Sequence, residues 1–196
     1  ESFYVSARTW NGLPDLGRKF LIFRNTLLGR LVIGPVEIVA VFWFQQARAL
    51  LQNDKKARKA WALHILGLIP VIAFLIIMNV NLIVYFACIV YPAISLTLVR
   101  SFAEHKYEED PHHRSAIIQA GWFWRLLFLN NNFHSIHHEN PRLAWYRIPG
   151  KFFENMDESR KLNGDYYLPG YSVLFKNHLF EPWDHPVRAD ERHKIK

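Results

Sequence analysis

Two long apolar runs lie close together in the sequence, and they predict membrane-spanning helices. We place these helices at residues 61–79 and 81–99, where polar interruptions are few and His64 is the only histidine. At about 1.5 Å of rise per residue, helices of about 18 residues nearly cross the ~30 Å hydrocarbon core of a bilayer. The connection Asn79–Asn81 is too short and too uncharged to reach far into water. The pair is therefore predicted to form a transmembrane helical hairpin, with a buried hairpin in a soluble protein as the alternative.

Basic residues flank this hairpin at both of its outer ends. Four of them precede it (Lys55, Lys56, Arg58 and Lys59), and two follow it (Arg100 and Lys106). Lysine and arginine are enriched on the cytoplasmic side of membrane proteins. The charge pattern therefore predicts that both outer ends, together with residues 100–196, face the cytoplasm.

An earlier apolar segment, residues 31–51, is too interrupted to form a third span. Glu37, Gln45, Gln46 and Arg48 divide it, and the uninterrupted apolar core that remains is too short to cross a bilayer. We predict an interfacial amphipathic helix on the cytoplasmic face, with a tilted, partly re-entrant helix as the alternative.

After the hairpin the chain becomes more polar but stays rich in aromatic residues. Helices are predicted at residues 115–129 and 148–162, with a short helix between them. Glycine and proline beyond residue 163 indicate irregular structure, and no stretch shows a convincing strand pattern. The predicted fold class is an all-α membrane protein in which residues 100–196 form a helical cytoplasmic cap.

The composition agrees with a membrane protein. Of the 196 residues, 51% are hydrophobic and 15% aromatic, and the mean hydropathy stays near zero because the apolar residues are segregated. The net charge of +7 would suit nucleic acid. However, the basic residues flank apolar runs instead of forming a binding stripe, so anionic lipid is the expected partner and nucleic acid is not. The single cysteine, Cys88, excludes a disulfide framework within the chain.

Three histidines, His134, His137 and His138, carry the clearest chemistry in the sequence. Their spacing of i, i+3 and i+4 places them within an arc of roughly 100° on one face of a helix. The asparagines just before them offer N-capping side chains, and Pro141 ends the helix. Three neutral imidazoles that point in one direction suit a borderline metal such as iron or zinc, with a chance cluster of solvated histidines as the alternative.

The motifs around these histidines resemble those of one enzyme family. The pattern Asn-Asn-x-His-x-x-His-His-x-x-Pro-x-x-x-Trp-Tyr-x-x-Pro, read from Asn131 to Pro149, resembles the last histidine box of the membrane fatty acid desaturases. Residues Arg100–His105 resemble the family's Arg-x-x-Ala-Glu-His element at the end of a transmembrane helix. Gly170-Tyr171 and the aromatic tail through Trp183 are also similar to bacterial members, so the resemblance extends through nearly the whole chain.

The resemblance implies a membrane-bound enzyme with two iron ions that uses O2 to introduce a C=C bond into a lipid acyl chain. A ferredoxin-, rubredoxin- or cytochrome b5-like donor would supply the electrons. The implied metal ligands are His134, His137 and His138 of the box and His105 of the Ala-Glu-His element, although His105 could instead only donate a hydrogen bond or face lipid headgroups. A related hydroxylase or ketolase is the alternative, because the box does not distinguish these reactions.

Five further residues are candidates for supporting roles. Glu104 would orient a ligating imidazole, or simply form a salt bridge at the helix end. Asn131 and Asn132 would position the box or hold a water molecule, although N-capping alone explains one of them. Trp145 and Tyr146 would close over the metals and the substrate, or anchor the chain at the membrane interface.

The two earlier histidine boxes of the family are not found in this sequence. His64 is the only histidine before residue 65, and the chain opens with Glu1 and a polar stretch. We therefore interpret residues 1–196 as the C-terminal part of a fatty acid desaturase domain. Four candidate histidines are too few for two irons in this family, so an inactive truncated remnant is a further alternative.

Overall fold

A computed structural model describes residues 4–195 and is mostly helical, as the sequence predicts. In chain order the α-helices are α1 (Ala7–Gly12), α2 (Asp15–Arg24), α3 (Leu27–Val32), α4 (Gly34–Leu51), α5 (Lys55–Ile77), α6 (Leu82–Tyr85), α7 (Tyr91–Glu104), α8 (Trp122–Leu127), α9 (His134–Glu139), α10 (Ile148–Glu154), α11 (Met156–Leu162) and α12 (Ser172–Asn177). A π-helical segment (Phe86–Val90) joins α6 to α7, and Pro111–Arg114 and Ala189–Lys194 form 3-10 helices. The strands are β1 (Ile117–Ile118) and β2 (Tyr167–Leu168). The chain divides into two compact units, one of residues 32–96 and one of residues 1–31 with 97–196.

Two helices are long and apolar enough to cross a membrane. Helix α5 has 23 residues and a mean hydropathy of 2.4, and the continuous helix Leu82–Glu104 has 23 residues and a mean hydropathy of 2.3. Helix α5 begins before the predicted residue 61 because the Asp54 side chain accepts hydrogen bonds from the backbone N–H groups of Lys56 and Ala57. No residue of α5 is buried, as expected for a helix surrounded by lipid.

The second apolar helix, Leu82–Glu104, is also capped by a side chain at its start, and it contains a π-helical segment after its first turn. The Asn81 side chain accepts hydrogen bonds from the backbone N–H groups of Ile83 and Val84. The π-helical segment Phe86–Val90 ends just before Pro92. Proline has no N–H to donate to the carbonyl four residues earlier, and a π-helical segment is one way to accommodate that missing bond.

Helix α4 has 18 residues but is not among the helices apolar enough to cross a membrane. It packs against α5 through stacked rings, with the centroids of Trp43 and Trp61 5.1 Å apart. The indole N–H of Trp61 also donates a hydrogen bond to Oε1 of Gln46, at 3.1 Å. The interfacial location of residues 31–51 stays a prediction.

The second unit has apolar clusters that hold its short helices together. The largest includes Val99, Phe102 and Ala103 from the end of α7, together with residues of α3, β1, α12 and the loops between them. Another joins β1 to α9 and α10 through Ile117, Ile136 and Phe152. A third packs α1 and α2 against Val187 near the end of the chain. The last turn of α7 is therefore embedded in this unit.

The predicted helix at residues 115–129 is wrong in its first half. Residues 117 and 118 form β1, which pairs in parallel with β2 so that Ile117 lies opposite Tyr167. Both isoleucines are fully buried. Their β-branched side chains favour extended backbone, and their N–H groups donate hydrogen bonds to the carbonyls of Tyr166 and Asn132 rather than within a helix. Only Trp122–Leu127 is helical in this region.

The predicted helix at residues 148–162 is divided in two. Helix α10 ends at Glu154 and α11 begins at Met156, and the backbone dihedral angles of Asn155 between them (φ −137°, ψ 47°) are not helical. Asparagine competes with helical hydrogen bonding through its own side chain, which makes it a common residue at such breaks.

Candidate metal centre

Helix α9 carries the histidine triplet, and it begins and ends close to where the sequence predicts. It starts at His134 and ends at Glu139, one residue before Asn140 and two before Pro141. The predicted N-capping by asparagine is wrong, because the N-cap residue is Phe133 and it makes no side-chain capping hydrogen bond. The asparagine side chains bond to other parts of the chain instead.

Three histidines converge at the start of α9. The Nε2 atoms of His134 and His105 are 2.9 Å apart, and those of His134 and His138 are 3.0 Å apart. One nitrogen from each of the three rings lies within 4.8 Å of the others. Two of these histidines come from one turn of α9, and the third directly follows α7.

An extended segment, Ser115–Ile118, brings the end of α7 and the start of α9 together. The N–H of Ala116 donates a hydrogen bond to the carbonyl of Glu104, at 2.9 Å, and the N–H of His134 donates to the carbonyl of Ala116, at 3.1 Å. The N–H of Ile118 donates to the carbonyl of Asn132, at 2.8 Å. Because this short segment bonds to both helix ends, it fixes the distance between His105 and His134.

The second nitrogen of the His134 ring, Nδ1, is positioned by an asparagine and a buried carboxylate. Nδ1 of His134 lies 3.3 Å from Oδ1 of Asn131 and 3.8 Å from an oxygen of Glu104. Glu104 is 1% exposed, and it forms an ion pair with Arg100 at 3.1 Å. An amide or carboxylate oxygen is an acceptor, so Nδ1 carries the hydrogen and Nε2 presents its lone pair to the cluster. This is the tautomer that a metal-ligating histidine needs.

The three facing nitrogens fit a metal ion better than they fit one another. An imidazole nitrogen without a hydrogen has a single lone pair and accepts one hydrogen bond, whereas Nε2 of His134 faces two other rings. Two nitrogens bound at right angles to one metal at about 2.1 Å lie about 3.0 Å apart, which matches the separations of His134 from His105 and from His138. Three imidazoles suit iron or zinc.

Burial disfavours the protonated forms of His134 and His138. Burial lowers the pKa of His134 from 6.5 to about 2, and the neighbouring His105 and His138 add to the effect because three protonated rings would repel one another. Burial and His137 also lower the pKa of His138. Since only a neutral imidazole binds a metal, burial keeps these two donors available near neutral pH.

The remaining predicted site residues lie outside this cluster. The ring centroid of His137 is 5.9 Å from that of His134 and 6.0 Å from that of His138, and His137 is not one of the three converging residues. Trp145 and Tyr146 stack edge to face on each other at 5.9 Å, and their side chains are 42% and 63% exposed. Asn132 is fully buried and donates a hydrogen bond from Nδ2 to the carbonyl of Ile118. The ligand role of His137 and the lid role of the aromatic pair stay predictions.

Two residues that support the centre were missed by the sequence reasoning. The hydroxyl of Tyr166 donates a hydrogen bond to the carbonyl of Ala103, at 2.8 Å. Nδ2 of Asn163 donates to the carbonyls of Ser115 and Tyr166. Both side chains are buried, and both bond to backbone beside the histidines, which no local sequence pattern reveals.

A polar cleft of about 300 Å³ borders the histidines. His105 and His138 line it together with Ser135, Glu139, His112 and Arg114. His138 is exposed here, whereas His134 is buried. The cleft therefore lies beside two of the three converging histidines.

Comparison with known proteins identifies the family. The family model for fatty acid desaturases matches residues 3–168, which include every histidine of the cluster and the segment that positions them. No curated protein and no solved structure matches the chain significantly. Because the family match covers most of the 196 residues, the chain belongs to the fatty acid desaturase family.

Proposed function

We propose that this protein is a membrane-bound, iron-dependent fatty acyl desaturase that introduces a C=C bond into a lipid acyl chain. The observation that carries the proposal is the convergence of His105, His134 and His138 on one point. Family membership and the two membrane-capable helices support the lipid substrate and the membrane location.

The metal would be held by these three histidines, with His137 as a further ligand of the two-iron site that the family implies. Bound iron supplies the capacity to activate O2 and to remove hydrogen from an unactivated C–H bond. Asn131 holds the hydrogen on Nδ1 of His134, so the Nε2 lone pair stays directed at the metal position. Glu104 lies beside the same nitrogen and is a positioning residue for that ring.

The chain would cross the membrane twice, through α5 and the helix Leu82–Glu104, with residues 100–196 as the cytoplasmic cap. His105 directly follows the second helix, and six residues of helical rise, roughly 9 Å, separate it from Val99 at the end of the predicted span. Such a position lets an acyl chain reach the histidines from the membrane without its headgroup crossing the bilayer.

The polar cleft beside His105 and His138 is suited to the aqueous side of the reaction. It is lined by charged and hydroxyl groups and opens toward the solvent, so water and protons reach the histidines through it. The electron donor, a ferredoxin-, rubredoxin- or cytochrome b5-like protein, would dock on the basic cytoplasmic face. Trp145 and Tyr146 are exposed near the box and would close over the substrate there.

Lipid profiling tests the reaction. The full gene is expressed in a bacterial host together with a ferredoxin and its reductase, and total acyl chains are analysed by mass spectrometry. We expect new double bonds with the wild type, none with His134→Ala, and an unchanged yield with the matched control His193→Ala, whose histidine lies far along the chain from the cluster. Oxygenated products would support the hydroxylase or ketolase alternative. An unaltered lipid profile from an iron-loaded protein would contradict the proposal.

A further inference from the structure

A second binding site lies between α4 and α5, apart from the histidine cluster. The two helices line an open cleft of about 490 Å³. Its walls are mainly aromatic and apolar, with two polar side chains among them; the lining residues are Phe42, Trp43, Gln46, Ala60, Trp61, His64 and Leu68. All of these belong to the unit of residues 32–96.

The aromatic wall of the cleft is ordered by ring contacts and one hydrogen bond. The rings of Trp43 and Trp61 are nearly parallel, at an interplanar angle of 29°, and the ring of His64 lies edge-on to Trp61 at 5.6 Å. The hydrogen bond from Trp61 to Gln46 fixes the indole in this position. A cleft whose walls are already ordered loses little conformational entropy when it binds a ligand.

The order of side chains along α5 matches the order of groups in a phospholipid. The helix begins with four cations in five residues, Lys55 to Lys59. Trp61 and His64 follow at about 3 and 7.5 Å of helical rise beyond Lys59, and Leu68 follows at about 13.5 Å. Cations therefore come first, then an aromatic ring with a polar edge and an imidazole, and then apolar surface. A phosphate, a glycerol ester region and an acyl chain follow one another in the same order.

One of the cations lies beside the edge of the cleft that Trp61 and Leu68 form. At about 100° per residue, Arg58 lies about 60° around the helix from Trp61, whereas Lys59 lies about 160° away on the opposite face. Among the described residues no carboxylate forms an ion pair with Arg58, whose side chain is exposed. A guanidinium at this position is suited to bidentate hydrogen bonding with a phosphate.

We propose that this cleft is a binding site for one anionic glycerophospholipid of the phosphatidylglycerol type. Arg58 binds the phosphate, His64 and the amide of Gln46 lie at the level of the ester groups, and the upper acyl chain packs on Trp61 and Leu68. The anionic headgroup follows from charge, since the start of α5 carries four cations and Asp54 is the only acid beside them. The site rests on the membrane placement of α5 and not on the desaturase reaction.

Native mass spectrometry of the delipidated full chain tests the site. The protein is titrated with phosphatidylglycerol and, separately, with phosphatidylcholine of the same acyl chains. We expect the first phosphatidylglycerol molecule to bind more tightly than any further phosphatidylglycerol molecule. We also expect it to bind more tightly than phosphatidylcholine. Arg58→Gln is expected to lower the phosphatidylglycerol affinity about fivefold, the effect of one interfacial charge, whereas Lys59→Gln, the control on the opposite face, leaves it nearly unchanged.

A second pair of variants separates the contribution of the cleft to lipid binding from the contribution of the charge. Ala60→Leu fills part of the cleft without altering any charge, and we expect it to weaken the first bound lipid, whereas Ala62→Leu, which does not line the cleft, does not. Equal affinity for the two lipids, or equal losses in Arg58→Gln and Lys59→Gln, would overturn the proposal. Iron content is measured on the same samples, so that a failure of the lipid site is distinguishable from a failure of the metal centre.

Discussion

His134 is the residue on which the candidate centre depends most. Its Nε2 atom is the one that contacts both other rings, and its Nδ1 atom is held by Asn131. Its side chain is 8% exposed, so the ring has little freedom to turn away from the cluster. The chemistry of the cluster therefore follows from how this one ring is oriented.

Replacing Asn131 tests that orientation. Asn131→Ala removes the acceptor for Nδ1–H, and the loss of such an outer partner typically costs about 10–100-fold in metal affinity. Metal affinity is measured by titrating the purified protein with Co²⁺ and following its visible absorption. Asn140→Ala at the other end of α9, where the side chain bonds only to the carbonyl of Ile136, is the matched control. An affinity that stays the same in Asn131→Ala would contradict the positioning role.

The buried imidazole also predicts a dependence of stability on pH in the metal-free protein. The pKa of His134 is about 2 in the folded chain and about 6.5 when the chain unfolds. Below pH 6.5 the unfolded chain therefore takes up a proton that the folded chain excludes, and the free energy of unfolding falls by up to ~1.4 kcal/mol per pH unit. Above pH 6.5 this contribution to stability is fully present.

Thermal unfolding in detergent between pH 8 and pH 5 measures this effect. Burial raises the pKa of the neighbouring Glu104 to about 7, which adds stability to the folded chain as the pH falls and offsets part of the His134 effect. The difference between two proteins isolates His134: the free energy of unfolding of the wild type is expected to decrease with falling pH relative to that of His134→Gln, whose side chain does not titrate. Identical slopes for the two proteins would contradict the buried, neutral state of His134.

The residue types of the centre could be predicted from the sequence, but their contacts could not. The i, i+4 spacing brings His134 and His138 together through helix geometry alone, and His105 was found through a motif. The asparagines were predicted to cap the helix, yet Asn131 and Asn132 bond to a histidine ring and to the carbonyl of Ile118. His134 is three residues from Asn131, whereas Ile118 lies 14 residues from Asn132, and local spacing gives no information about a partner that distant.

At the scale of elements, a short extended segment positions the centre. Ser115–Ile118 bonds to the end of α7 on one side and to the start of α9 on the other, and it pairs with β2. The sequence predicted a helix here because the aromatic and apolar residues from 122 onward follow a helical pattern. That pattern was extended back to residue 115. The two adjacent isoleucines were the local sign of extended structure, but a two-residue strand is too short to show an alternating pattern.

Replacing Tyr166 tests how much the hydrogen bond between its hydroxyl and the end of α7 stabilises this part of the fold. Tyr166→Phe removes one hydroxyl and leaves the carbonyl of Ala103 without its partner in a buried site. We expect a loss of about 1–3 kcal/mol in the free energy of unfolding, measured by denaturant titration in detergent. Tyr146→Phe, at a side chain that is 63% exposed, serves as the control and should change stability little. Equal stability of the two variants would contradict the structural role of the Tyr166 hydroxyl.

At the scale of the whole molecule, the predicted topology is two spans with the histidines on the cytoplasmic side. Cysteine labelling tests it in a Cys88→Ser background, which removes the single native thiol. A membrane-impermeant maleimide applied to intact bacterial cells stripped of their outer membrane should label Met78→Cys, in the connection between the helices. Glu109→Cys, beyond the second helix, should react only after the membrane is permeabilised. Labelling of both positions from the outside would contradict a hairpin with a cytoplasmic cap.

The presence of two helices long and apolar enough to span a membrane was predictable because it depends on length and apolar composition alone. The arrangement of the second unit was not, since its core joins α1 and α2 to the end of the chain and the end of α7 to α12. Contacts between residues so far apart in sequence are determined by packing, and no single stretch of residues encodes them.

Iron content is the most direct test of the central claim that His105, His134 and His138 hold a metal. The protein is purified from membranes of cells grown with iron, and iron per chain is measured by inductively coupled plasma mass spectrometry. The account predicts iron in the wild type and in His64→Ala, and its loss in His134→Ala. A wild type with iron near zero, or a His134→Ala variant that retains the iron of the wild type, would contradict it.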